Sequence, residues 1–160
     1  MGEWKDFFVT TAGAAATLTG LIFVGVSISL AKILSIPTLP NRAFISLVLL
    51  LNILILSILF LVPHQPLNAI GVEVLAIGFM VWVTVLMMDI AILGSKQTQF
   101  KRLYALNMLF NQLSVLSYLV GGTMILTHGE TGFYFIVIAM VLSFIKAVLD
   151  AWVLLVEINR

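Results

Sequence analysis

The chain has 160 residues, of which 62% are hydrophobic and 9% charged, with a formal net charge of +1 and a mean hydropathy of +1.20. A water-soluble fold of this size buries about two-thirds of its surface and needs polar side chains over the rest, so the composition excludes one and points to lipid as the solvent. Eight Lys and Arg scattered along the chain make no nucleic-acid footprint, and the absence of cysteine removes disulfides, thiolate metal sites and a thiol nucleophile.

Five stretches reach the roughly 20 apolar residues that a spanning helix requires. The first, residues 7–30, is rich in small side chains: Thr10, Gly13, Thr17, Gly20, Val24 and Ser27 recur at three- and four-residue steps. Gly13, Thr17 and Gly20 are its expected helix-packing face, because small residues let two backbones approach closely. The neighbour is expected within the bundle, with a second protomer as the other option. Its lead-in, Gly2-Glu3-Trp4-Lys5-Asp6, carries two acids to one base, so the segment reads as a mature helix rather than a signal peptide. Leu39, Pro40, Asn41 and Arg42 separate it from the second stretch, 43–62, which is almost uninterrupted Leu, Ile and Val. Pro63 and Pro66 then break the pattern, since proline lacks an amide donor and disfavours helix before it. The third stretch, 68–93, is followed by a polar segment, a fourth at 103–126, the break Thr127-His128-Gly129-Glu130, and a fifth at 133–156. The expected fold is an all-α polytopic transmembrane bundle of five helices in a single domain spanning 1–160.

Lys and Arg concentrate on the cytoplasmic side of membrane proteins. Lys32 and Arg42 flank the first loop, Lys96, Lys101 and Arg102 fill the third and Arg160 ends the chain, whereas the second and fourth loops hold no Lys or Arg and the N-terminal segment only Lys5. The expected orientation is N-terminus outside and C-terminus cytoplasmic.

A charge at the centre of a spanning helix costs at least about 2.5–3.5 kcal/mol, so the polar residues within the stretches stand out. Asp89 and Asn107 fall roughly 6 Å from the cytoplasmic end of their helices, Asp150 roughly 9 Å, Asn111 roughly 12 Å, and Asn52 and Lys146 roughly 14–15 Å, at a rise of about 1.5 Å per residue. Asn107, Asn111, Ser114 and Tyr118 form one helical stripe; Ser143, Lys146, Asp150 and Glu157 form another, on which Lys146 and Asp150 pair. Asn52, Asp89, Asn107, Asn111, Lys146 and Asp150 are therefore expected to meet in one intramembrane polar cluster, with Lys146 between Asp150 and Asp89. Two roles are open to it: interhelical hydrogen bonds and a neutralised pair that set helix register, or a proton or ion site on a transport path.

Elsewhere the residues point to less. His64, Glu73, His128 and Glu130 lie near the two external loops without any metal-ligand spacing, and neither metal nor cofactor is expected. Trp4, Tyr104, Phe133, Tyr134 and Trp152 read as interfacial anchors, and Trp82 as packing. There is no nucleophile elbow and no phosphate-cradling loop, so no catalytic residue is expected.

The opening Trp4-Lys5-Asp6-Phe7-Phe8-Val9, the run Leu18-Thr19-Gly20-Leu21-Ile22-Phe23-Val24 with Ser27-Ile28, then Leu39-Pro40-Asn41-Arg42-Ala43, Pro63-His64-Gln65 and Gly71-Val72-Glu73 resemble a family of small bacterial multi-pass membrane proteins, some labelled modulators of the FtsH protease. The resemblance covers about the first half of the chain. It implies a prokaryotic plasma membrane and a compact helical bundle, and brings no catalytic or binding residue. Two functions follow as expectations. One is a homo-oligomeric ion or proton channel or transporter whose site is the polar cluster. The other is a non-catalytic interaction or regulatory subunit that docks a membrane protein partner, with the cluster structural.

Overall fold

The structure, a computed structural model, describes residues 4–94 and 101–158. Six α-helices follow in chain order: α1 (Lys5–Ile28), α2 (Leu30–Ser35), α3 (Leu39–Phe60), α4 (Leu67–Gly94), α5 (Lys101–His128) and α6 (Gly132–Ile158). The described residues form no strand. Four helical stretches are long and apolar enough to cross a membrane: Lys5–Ile28, Leu39–Phe60, Leu67–Gly94 and Tyr104–Val156. The last runs for 53 residues but folds back on itself, so the bundle has five long antiparallel rods and the architecture of a multi-pass membrane protein.

The sequence explains the breaks. Ser29 interrupts the first stretch, and the short α2 occupies what the sequence reads as loop. Pro40 sits in the first turn of α3, where a missing amide hydrogen costs nothing because that position has no intrahelical acceptor. Between α3 and α4 the chain turns through His64 at φ 59°. Between α5 and α6 it turns through Gly129 at φ 65° and a single 3₁₀ turn, Gly129–Thr131.

Helix α3 lies at the centre, packed against α1, α4 and α6, while α5 closes the bundle by packing on α4 and α6. Its buried positions form two adjoining stripes, including Leu49, Leu50, Ile53 and Leu56, all fully enclosed. That is the pattern of a helix with neighbours on several sides. Helix α1 is peripheral and buries only Phe8, Thr11 and Ala15.

Gly13, Thr17 and Gly20, the expected packing face of α1, are exposed, and a Cβ added at Gly13 or Gly20 would meet nothing within 4 Å. The internal contact expected there is therefore not made. The hydroxyls on this face bond to their own helix, Thr17 Oγ1 to the Gly13 carbonyl at 2.8 Å and Ser27 Oγ to the Phe23 carbonyl at 2.8 Å, so it presents satisfied surface that lipid tolerates. Close backbone approach occurs elsewhere, between α4 and α5. A Cβ on Gly122 would lie 2.8 Å from Leu75 Cγ, and one on Gly71 2.6 Å from Leu126 Cδ2. At the α5–α6 turn, a Cβ on Gly132 would collide with the Ile125 backbone nitrogen.

Backbone cannot step aside as a side-chain tip can. Gly132→Ala should therefore destabilise the bundle by about 1–3 kcal/mol or more through overpacking, whereas Gly13→Ala should be neutral or stabilising by up to about 1 kcal/mol through helix propensity. Unfolding of the two variants in mixed detergent micelles checks the contrast; equal losses would show that the turn is not tightly packed.

Candidate functional site

Antiparallel packing brings the Arg42 end of α3, the Asp89 end of α4, the Asn111 region of α5 and the Asp150 end of α6 to one depth. Within it the charges pair. Lys146 and Asp150 form a buried ion pair one helical turn apart on α6, and Asp150 Oδ1 also lies 3.6 Å from Arg42 Nη2 of α3. The Arg42 guanidinium in turn sits 5.9 Å from the centroid of the Tyr104 ring on α5, within cation–π range.

Asp89, 2% exposed, is held by amides from the facing helix. Asn111 Nδ2 donates to its Oδ1 at 2.7 Å and Gln112 Nε2 to its Oδ2 at 3.0 Å. Gln112 is oriented by Trp82, whose Nε1 donates to Gln112 Oε1 at 2.9 Å. Lys146 and Asp150 both lie within electrostatic reach of Asp89, and Arg42 within reach of Lys146. The four charged groups form one unit of two carboxylates and two cations.

Asn52 belongs to a second layer, further along α3. It is 1% exposed, and its amide interacts with the Tyr118 hydroxyl in a geometry that falls short of a full hydrogen bond, its only polar neighbour among the described contacts. Tyr118 Oη donates instead to Ser143 Oγ at 3.1 Å, so Tyr118 and Ser143, which share the expected stripes with Asn111 and Lys146, join α5 to α6 here. Beyond this layer the interior is closed by rings. Phe8 stacks on Phe60 with centroids 4.4 Å apart, Phe133 meets Phe60 edge-on at 5.5 Å, and Trp4 covers Phe133 at 5.8 Å.

Of the residues singled out in the sequence, Asp89, Asn111, Lys146 and Asp150 converge, and Asn52 lies in the adjoining layer. Asn107 does not join them: it is half-buried and makes no hydrogen bond to the described cluster. Glu157 and the loop lysine Lys96 lie outside what is described of the side chains. Phe133, expected as an interfacial anchor, is fully buried in the aromatic plug, whereas Tyr134 and Trp152 are exposed. Two members of the network were not legible as such. Arg42 reads in sequence as a loop charge, although its place only a few residues after Pro40 was a hint that it rides on the first turn of a helix. Trp82 reads as packing, because its hydrogen bond depends on a residue 30 positions away. No group of His, Asp and Glu among the described residues is arranged to hold a metal ion.

No family model, curated protein or solved structure matches this chain.

Asp150 is the pivot of the charge network. Asp150→Asn leaves Lys146 and Arg42 without their carboxylate and should destabilise the protein by about 3–5 kcal/mol. The double substitution of Asp150→Leu with Lys146→Met should recover part of that loss, because Lys146 is removed together with its carboxylate while Arg42 still lacks its own. Detergent unfolding of the single and double variants reads both. A double variant no more stable than the single one would show that the pair is not what suffers.

Proposed function

We propose that this protein is a proton-translocating membrane protein, a small channel or transporter, in which the unit of Arg42, Asp89, Lys146 and Asp150 is the protonatable site. The observation that carries the reading is the burial of Asp89, Lys146 and Asp150 inside the bundle, with the Arg42 side chain, 15% exposed, completing the unit from α3. Such groups are costly there and commonly mark ion pathways. A proton is favoured over a larger ion because the unit is enclosed within one bundle, its carboxylates about 2% exposed. A proton needs only a chain of hydrogen-bonding groups, whereas a hydrated cation needs a bore. In a homo-oligomer each protomer would then carry its own site rather than share a central pore.

The orientation we propose is N-terminus outside and C-terminus cytoplasmic, in a prokaryotic plasma membrane. Lys32, Arg42 and Arg102 all belong to one end of the bundle, and the positive-inside bias assigns that end to the cytoplasm. The polar unit then opens inward. A reporter fused at the C-terminus should be active in the cytoplasm; activity outside the cell would reverse the assignment.

A second reading is favoured by the cancellation of charge in the unit, two negative against two positive. A neutral, hydrogen-bonded cluster can serve only to fix helix register. The protein would then be a non-catalytic interaction or regulatory subunit, as the resemblance to modulators of a membrane protease suggests.

Proton flux into proteoliposomes separates the two, followed with an entrapped pH-sensitive dye and compared among the native protein, Asp89→Asn and Asp150→Asn at matched incorporation. Under the transport reading either substitution should change flux by about tenfold or more, the equivalent of ~1.4 kcal/mol in a barrier. No flux in any sample, with variants that are merely less stable, would leave the second reading.

A further inference from the structure

We infer that water occupies the layer around Asn52, held by Asn52 and Tyr118, and that it stops short of the aromatic plug. A primary amide can donate two hydrogen bonds and accept two, and the Asn52 amide, 1% exposed, makes none of full geometry with protein, only a loose approach to the Tyr118 hydroxyl. Asn111 is fully buried, and its Oδ1 is unpaired while its Nδ2 serves Asp89. Tyr118, fully buried, spends its proton on Ser143 and keeps acceptor capacity toward Asn52. Leaving such groups dry in a protein interior is strongly unfavourable. A buried water is stable where two to four polar partners converge, and apolar cavities stay empty. The Asn52 layer brings two such groups together, Asn52 and Tyr118; the section beyond it is mostly apolar, walled by Ile53, Leu56, Ile136 and Met140 and then by Phe8, Phe60 and Phe133, with the buried Ser57 hydroxyl set among them.

The layer lies above the charged unit along the same helices. From Arg42 to Asn52 along α3 is about 15 Å, and from Asn52 to Phe60 about 12 Å, at 1.5 Å per residue. The half of the bundle from Arg42 to Asn52 therefore carries the charged and amide groups, set among apolar residues such as Ile45 and Leu49, and the half from Asn52 to Phe60 is mainly apolar side chains and stacked rings. The water lies between the charged unit and the aromatic plug, and the plug is where a proton path through it has to open. The task assigned to the water rests on the transport reading; the presence of the water does not.

Hydroxyl-radical labelling of the full-length protein in liposomes tests it, because radiolysis produces radicals at bound water as well as in bulk. Tyr118 should label at a rate nearer that of exposed Tyr134 than that of Phe133, although Tyr118 and Phe133 are equally buried, and Asn52→Leu should reduce labelling of Tyr118 several-fold. A Tyr118 as inert as Phe133 in the native protein overturns the inference, whatever the fate of the variant. Flux keeps the two proposals apart. Labelling at Tyr118 with no proton flux removes the transport reading and leaves the water in place, while flux that Asp89→Asn alters, with Tyr118 unlabelled, removes the water and leaves the transport reading.

Discussion

The bundle is organised around the burial of Asp150. A single carboxylate in the bilayer interior is tolerable only with a cation beside it, and Asp150 has two, Lys146 on its own helix and Arg42 on α3. The first pairing follows from helical geometry and would exist in an isolated α6. The second is tertiary: it ties the first turn of α3 to α6 and fixes their relative depth, because a shift by one turn, about 5.4 Å, would leave Arg42 and Asp150 apart. Asp89 depends on the same registration, since its amide partners belong to α5 and its compensating Lys146 to α6.

From that level outward the interior changes character in steps. The charged unit gives way to amides and hydroxyls at Asn52, Tyr118 and Ser143, then to aliphatic side chains, then to the rings of Phe8, Phe60 and Phe133. The grading follows the cost of each group in a low dielectric: charges need partners on several helices, whereas rings need only contact. Glycines let α4 and α5 pack closely along the end of the pair away from the charged unit, where Gly71, Gly78 and Gly122 line the interface.

Much of this was legible in the linear chain. Mean hydropathy and the length of the apolar runs determine the helices, and their ends moved by only a few residues because prolines and glycines mark them. The depth of each polar residue follows from its distance to a helix end, and that depth alone groups Asp89, Asn111, Lys146 and Asp150. Asn107 falls in the same group by depth, and its failure to join shows the limit of depth alone: position along an axis does not say which neighbour a face meets. The same limit explains α1. A stripe of Gly13, Thr17 and Gly20 states that a close approach is possible, but only the arrangement of the other helices decides whether anything approaches, and here the side chains of Phe8, Thr11 and Ala15 win the buried side.

What the amino-acid sequence determined by itself was therefore one-dimensional: apolar lengths, breaks, the asymmetry of basic residues, and the depth of each polar group, all of which depend on local spacing and on the thickness of a bilayer. Tertiary structure alone decided the partners. Arg42 became part of the site because α3 starts early enough to lay its first turn against α6, and Trp82 because Gln112 faces it from α5. Phe133 became a plug rather than an anchor because the start of α6 tucks beneath Trp4. Each of these depends on the rotation of one helix relative to another, which residue spacing along a single helix does not encode.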